Sequence, residues 1–136
     1  MNYLEIYLRL EGYDWSYNER EIRERFNHPY GKCVDCYAHR ADCRHFLIED
    51  KGTNIAEAVS QFRETAAALR RSNAQIDGCV LLTKGIRSFY GNRYKRVNGM
   101  LCGSNGRRIR IGVLFIEVIY YSEIEREAER RRRRRV

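Results

Sequence analysis

Residues 44–83 decide the fold class: RHFLIEDKGTNIAEAVSQFRETAAALRRSNAQIDGCVLLT. The segment begins with a strand-like run that ends in three charged residues at 49–51. A Thr-Asn capping signal follows, and apolar side chains then recur at helical spacing over 55–69. A continuous apolar run at 77–83 closes the segment, as is typical of a buried strand. Such a strand–helix–strand unit favours parallel strands joined by a right-handed crossover.

The sequence before this unit predicts further elements of a sheet. Residues 3–10, YLEIYLRL, alternate loosely between apolar and polar and predict a strand. Ser16 or Asn18 can cap a short helix, NEREIRERF. A short strand is predicted at 32–38, and it pairs in a hairpin with the return strand at 44–50.

The sequence after the unit is more basic and more irregular. Residues 84–99 predict a loop or a short irregular helix, and Gly-Ser-Asn-Gly at 103–106 predicts a hairpin before the very hydrophobic strand 111–121. We therefore expect an α/β fold with a mixed central sheet flanked by helices. One domain is predicted over residues 1–122, and a charged, basic C-terminal helix over 123–136.

Composition suits one folded domain without a membrane span. The chain has 136 residues, of which 43% are hydrophobic and 32% charged. No window approaches 18 apolar residues, and charged side chains interrupt the N-terminal apolar stretch, so neither a transmembrane helix nor a secretory signal is predicted. The default expectation is a cytoplasmic protein. The excess of Arg over Lys and the single Pro hint at a hot environment.

The net charge of +8 is unevenly placed along the chain. Residues 1–68 carry 9 Lys/Arg and 12 Asp/Glu, whereas residues 69–136 carry 17 and 6, including the run Arg130–Arg135. This asymmetry predicts a polyanionic partner, although the terminal run alone fits a solvated tail equally well. Nucleic acid, and DNA in particular, is the partner we expect. The candidate residues for binding its backbone are Arg87, Arg93, Lys95, Arg96, Arg107 and Arg108.

The charged residues at the end of the 44–50 strand have a pattern suited to metal chemistry. Residues two apart in a strand share a face, so Glu49 and Lys51 lie together and Asp50 points away. Asp35 precedes Glu49 by fourteen residues and can approach it across the predicted hairpin. Two carboxylates can hold a divalent cation, and an ammonium group can position water or stabilise charge on phosphate. The alternative is a surface ion pair of little energetic value.

This arrangement resembles the active site of the PD-(D/E)xK nuclease superfamily, which includes restriction endonucleases, archaeal Holliday-junction resolvases and RecB-type exonucleases. The resemblance lies in Asp35 and then Glu49-x-Lys51 on consecutive strands, followed by a helix. The family core has the order α-β-β-β-α-β, and residues 18–84 are similar to it in outline. The resemblance therefore implies a restriction-endonuclease-like core.

The resemblance also implies roles for individual residues. The two carboxylates would bind Mg²⁺ or Mn²⁺, with the backbone carbonyl of Asp50 and the first-helix Glu21 as further ligands. Lys51 would serve the attacking water. Gln61, two turns into the following helix, matches the glutamine of RecB-type members. The implied activity is metal-dependent hydrolysis of phosphodiester bonds in DNA. Such nucleases are often dimers, so a homodimer is a further candidate.

The cysteines offer a competing interpretation of the same segment. Cys33, Cys36, Cys43 and His45 have nearly the spacing of a structural zinc site. In that case the chain would be a non-catalytic nucleic-acid-binding protein. A disulfide between Cys36 and Cys43 and simple burial of the thiols are further options. A tight Cys-x-x-Cys knuckle would exclude a regular strand around Asp35.

Overall fold

The computed structural model describes residues 2–52, 55–84, 96–97, 100–101, 108–111 and 114–135. Within these ranges the chain forms four helices and eight strands. In chain order they are α1 (Tyr3–Leu10), β1 (Tyr13–Asn18), α2 (Glu19–Arg25), β2 (Cys36–Arg40), β3 (His45–Asp50), α3 (Ile55–Arg71), β4 (Gly78–Thr83), β5 (Arg96–Val97), β6 (Met100–Leu101), β7 (Arg108–Ile111), β8 (Leu114–Tyr120) and α4 (Tyr121–Arg134).

The central feature is a six-stranded mixed sheet with the order β1-β2-β3-β4-β8-β7. The first three strands form an antiparallel meander, whereas β3, β4 and β8 run parallel to one another and β7 pairs antiparallel with β8. The predicted α/β class with a mixed sheet is therefore confirmed, as is the parallel pairing of the two strands that flank α3.

Helices cover both faces of the sheet and bury an apolar layer on each. On one face, α3 packs through Phe62 and Leu69 against Leu47 of β3 and its neighbours. On the other face, α1 and α4 pack through Tyr7 and Ile124. Because side chains alternate along a strand, residues 47 and 49 of β3 face α3, while residues 48 and 50 face α1 and α4.

The strand predicted for residues 3–10 is wrong, because these residues form helix α1. The Asn2 side chain caps the helix by accepting a hydrogen bond from the Glu5 N–H at 3.1 Å. Apolar side chains three and four residues apart then form one stripe, which includes the buried Tyr7. Burial of this stripe against the sheet stabilises a helix here, rather than the strand that the loose alternation predicts.

The edge strand β1 lies where the sequence predicted no strand. Its residues YDWSYN are mostly polar or aromatic and largely exposed, and the strand is held by antiparallel pairing with β2. The capping box between Asn18 and Glu21 then begins α2, so the predicted Asn18 cap is confirmed. Strand β2 begins later than predicted, at Cys36 rather than residue 32, which leaves Asp35 directly before it.

The C-terminal hairpin joins β7 and β8, which are not the two segments that the sequence predicted for it. The predicted continuous strand over 111–121 is divided, because β7 ends at Ile111 and β8 begins at Leu114 as its antiparallel partner. Strand β6 instead pairs with β5 in a separate two-stranded sheet. The predicted turn at 103–106 lies outside the described residues.

Candidate active site

Asp35 and Glu49 lie together at the end of the β2–β3 hairpin. The Asp35 N–H donates a hydrogen bond to Glu49 Oε1 at 2.7 Å, and the Asp50 N–H donates to Asp35 Oδ2 at 2.8 Å. Glu49 is only 2% exposed, although it carries a carboxyl group. The hairpin register causes this approach, because β2 begins opposite Ile48, so that Asp35 reaches the last residues of β3.

The environment of Glu49 favours its protonated form. Burial, followed by the nearby Asp35 carboxylate, raises the pKa of Glu49 to about 8, and Lys51 opposes this shift more weakly. Ionising the buried Glu49 next to a second carboxyl group is costly, so Glu49 favours its protonated form unless a bound cation offsets the negative charge. Carboxylate oxygens are the ligands that Mg²⁺ and Mn²⁺ prefer, so the pair fits such an ion.

Gln61 is anchored beside the Asp35 segment. Its Nε2 donates to the Cys33 carbonyl at 3.1 Å, and Thr65 connects the same helix to the segment by accepting from the Val34 N–H at 3.0 Å. The Gln61 Oε1 atom is buried and has no hydrogen-bond partner within the described residues. A buried acceptor of this kind is rare, and it is available to a ligand water or a cation.

Lys51 is placed close to the pair but is held by another residue. Its Nζ lies 3.0 Å from Glu57 Oε1, in the first turn of α3. This hydrogen bond and charge lower the pKa of Glu57. The Lys51 side chain is 25% exposed, so water reaches it. The structure thus adds an acidic partner for Lys51 that the sequence interpretation did not include.

Asp50 points to the opposite face of the sheet, as the strand period predicts. Its Oδ1 accepts a hydrogen bond from the Tyr121 hydroxyl, and the Tyr121 ring stacks on Tyr3 at 3.9 Å. Burial raises the pKa of Asp50, against the effect of the tyrosine hydrogen bond. The sequence interpretation missed Tyr121, and its only signal was a polar hydroxyl at the junction of a hydrophobic strand and a helix.

Glu21, the predicted ligand from the first helix, serves α2 itself. Its Oε1 accepts from the Asn18 N–H at 3.1 Å, and its own N–H donates to Asn18 Oδ1 at 2.9 Å. None of the contacts found in the described part of the chain joins Glu21 to Asp35 or Glu49. Across the described residues, no three His, Cys, Asp or Glu side chains are grouped as a metal site requires.

The four predicted zinc ligands do not come together. Cys33 packs into the α3 face of the sheet and Cys36 into the opposite face, while Cys43 is exposed in the β2–β3 turn. His45 stacks on Tyr37 with ring centroids 5.7 Å apart. The disulfide considered between Cys36 and Cys43 is also absent, because both thiols are free. The cysteines are separated because Cys33 precedes β2, Cys36 begins it and Cys43 lies in the turn after it.

Most of the predicted nucleic-acid contacts lie outside the described residues. This applies to Arg87, Arg93, Lys95 and Arg107. Arg96 belongs to the short strand β5, and Arg108 begins β7. Their roles in binding a nucleic-acid backbone stay predictions.

Comparison with protein-family models, with curated proteins and with solved structures finds no match for this chain. None of the helices described here is both long enough and apolar enough to cross a membrane.

Proposed function

We propose that this chain is a metal-dependent nuclease that hydrolyses phosphodiester bonds in DNA. The buried Glu49 carboxyl, which accepts a hydrogen bond from the Asp35 N–H beside the partly buried Asp35 side chain, carries this proposal. A buried acid beside a second carboxyl group weakens the fold, so its presence at a strand end favours a functional role over a structural one. A surface ion pair, the alternative from the sequence, does not describe a Glu49 side chain that is 2% exposed.

The order of elements supports a restriction-endonuclease-like core. Elements α1, β1, β2, β3, α3 and β4 follow the order α-β-β-β-α-β, with α2 added between β1 and β2. The first strand of that order, which the sequence interpretation lacked, is supplied by β1. In this correspondence Asp35 directly precedes the second strand, and Glu49 is the penultimate residue of the third. Helix α1 then becomes the first helix, which removes the reason for choosing Glu21.

The residues of the candidate site would have different roles in the reaction. Asp35 and Glu49 would hold Mg²⁺ or Mn²⁺, with the Asp50 carbonyl as a further ligand. The ion would act as a Lewis acid and lower the pKa of a bound water. Lys51 would stabilise negative charge on the phosphate, and Gln61 Oε1, which has no partner among the described residues, would accept a hydrogen bond from water.

The proposed binding of DNA rests on the positive charge of the basic residues. The basic residues of the 87–108 segment would bind the DNA backbone, because each Lys or Arg that neutralises a phosphate releases counterions. A homodimer and a cytoplasmic location stay predictions from the sequence.

A cleavage assay tests the proposal. Purified protein is incubated with single-stranded, duplex and branched DNA in Mg²⁺ or Mn²⁺, and then in EDTA. We expect cleavage that requires metal and falls by at least about 100-fold in Asp35→Asn and Lys51→Ala. Asp42→Asn is the matched control, because Asp42 is an exposed acid in the β2–β3 turn. Cleavage that persists in Asp35→Asn would place the activity elsewhere or in a contaminant.

A non-catalytic nucleic-acid-binding protein is the second candidate. The ion pair between Lys51 and Glu57 favours it, because the ammonium group is already engaged at 3.0 Å. Glu57→Gln separates the two functions. If the chain is a nuclease restrained by this pair, the variant cleaves faster than wild type. If wild type and Glu57→Gln both bind DNA without cleaving it, the binding function is correct.

A further inference from the structure

Helices α1 and α4 lie side by side and run in the same direction. Near their N-termini, Tyr3 stacks on Tyr121 with ring centroids 3.9 Å apart. Near their C-termini, an Arg131 guanidinium nitrogen donates to the Leu10 carbonyl at 2.8 Å. A groove of about 1280 Å³ is lined by the two helices. This volume exceeds the roughly 300–1,000 Å³ of most small-molecule sites, so the groove suits a larger occupant.

The groove combines apolar and strongly basic lining. Ile6, Leu10 and Ala128 supply its apolar side chains, and eight arginines line it against two glutamates. Glu127 and Glu129 hold the guanidinium groups of residues 130–133 by ion pairs along α4. These pairs leave the row of guanidinium groups exposed along the helix.

The basic end of the groove lies far from the carboxyl pair. Helix α4 begins at the carboxyl end of β3, where Tyr121 contacts Asp50. Helix α1 ends just before β1, whose first residues lie near the start of β3. Both helices therefore run from the carboxyl end of β3 toward its N-terminal end. Residue 131 therefore lies about 15 Å along the helix from residue 121. The helices also cover the face opposite the one that Glu49 occupies. The groove is thus a separate surface from the candidate active site.

We propose that the groove between α1 and α4 binds an acidic amphipathic helix of a partner protein. Apolar side chains at positions i, i+4 and i+7 of such a helix pack on Ile6, Leu10 and Ala128. Its flanking carboxylates pair with the guanidinium groups, whose planar donors suit bidentate contacts. A nucleic-acid backbone would use the same charges but would bury none of the apolar lining. The apolar lining therefore favours the helix.

Two synthetic peptides and one duplex test the proposal. The first peptide has 18 residues, with leucines at helical spacing and glutamates on both flanks. The second peptide has the same composition, but its leucines are placed so that they do not share one face of a helix. The third probe is a 20-base-pair DNA duplex. Binding of each fluorescently labelled probe to the full chain is measured by anisotropy at near-physiological salt, since purely electrostatic binding weakens with salt.

The protein variants separate the apolar contribution from the charge. Ala128→Gln places a polar side chain in the groove and keeps the helix propensity of α4. Arg134→Gln combined with Arg135→Gln removes charge only. Glu24→Gln, at an exposed position of α2, is the matched control, and thermal unfolding confirms that each variant is folded.

We expect the patterned peptide to bind with a Kd of about 1–10 μM and the scattered peptide about tenfold more weakly. Ala128→Gln weakens binding of the patterned peptide about tenfold and leaves binding of the duplex unchanged. The double arginine variant weakens binding of both probes. Asp35→Asn binds the peptide as wild type does, so the result is independent of the proposed nuclease activity. Equal affinity for the two peptides, no peptide binding, or an unaffected Ala128→Gln variant would overturn the proposal.

Discussion

Replacing Glu49 by glutamine should stabilise the metal-free protein at high pH. The pKa of Glu49 is raised from an ordinary 4.5 to about 8, so ionising this group in the folded protein is costly. Each pKa unit corresponds to about 1.4 kcal/mol, which gives a cost of about 3–5 kcal/mol once the side chain is fully ionised. Glutamine has nearly the shape of the protonated acid, and its Oε1 can still accept from the Asp35 N–H.

The sign of the effect follows from proton linkage. Because the pKa is higher in the folded state, the folded protein binds more protons than the unfolded chain between about pH 4.5 and 8. The stability contributed by protonated Glu49 is therefore fully present below about pH 4.5. It falls as the pH rises through 8. Wild type should lose stability relative to Glu49→Gln across this range, and the two should be similar near pH 5.

Urea unfolding with a chelator present at about pH 5, 7 and 9 measures this difference. We expect the gap between the two proteins to grow to about 3–5 kcal/mol at about pH 9. Glu24→Gln, on an exposed surface, should follow wild type at each pH. Adding Mn²⁺ should stabilise wild type and leave Glu49→Gln nearly unchanged, because only the acid pair binds the ion. Parallel pH profiles for wild type and Glu49→Gln would refute the reasoning.

Three further predictions concern the fold. Phe62→Ala should lower the free energy of unfolding by about 3–5 kcal/mol, because Phe62 is fully buried between α3 and the sheet; a loss below about 1 kcal/mol in urea unfolding would contradict this packing. Asn18→Ala should cost about 1 kcal/mol by removing the cap of α2, while Asn18→Asp should retain it, as thermal unfolding would report. An alkylating thiol reagent should label exposed Cys43 before buried Cys79, and equal rates by peptide mass spectrometry would be inconsistent with the structure.

The central strand–helix–strand unit was predictable because each element carries a strong local signal. Strand β4 is continuously apolar, and α3 repeats its apolar residues at helical spacing over 17 residues. Helix α1 has only eight residues, too few to separate a helical period from a loose alternation. Strand β1 carries almost no apolar signal, because it is an exposed edge strand that depends on pairing with β2. Such tertiary stabilisation leaves little trace in local sequence.

The contacts of the candidate site also differ in how far the sequence predicts them. Contact between Asp35 and Glu49 follows from a local hairpin, and spacing alone was enough to expect it. The ion pair from Lys51 to Glu57 was within reach of the sequence, since both residues flank the start of α3. Tyr121 lies 71 residues from Asp50, and no periodic pattern joins residues so far apart in the chain.

The interior position of β8 has a consequence for synthesis on the ribosome. Strand β8 follows the other five strands of its sheet in sequence, yet it lies between β4 and β7. Until it emerges, the nascent chain has β4 at an open edge, with a row of unpaired backbone groups and an apolar strand. Such an edge attracts other strands, so slow translation beyond residue 84 would raise the risk of aggregation. A chaperone that shields this edge would improve the yield of folded protein.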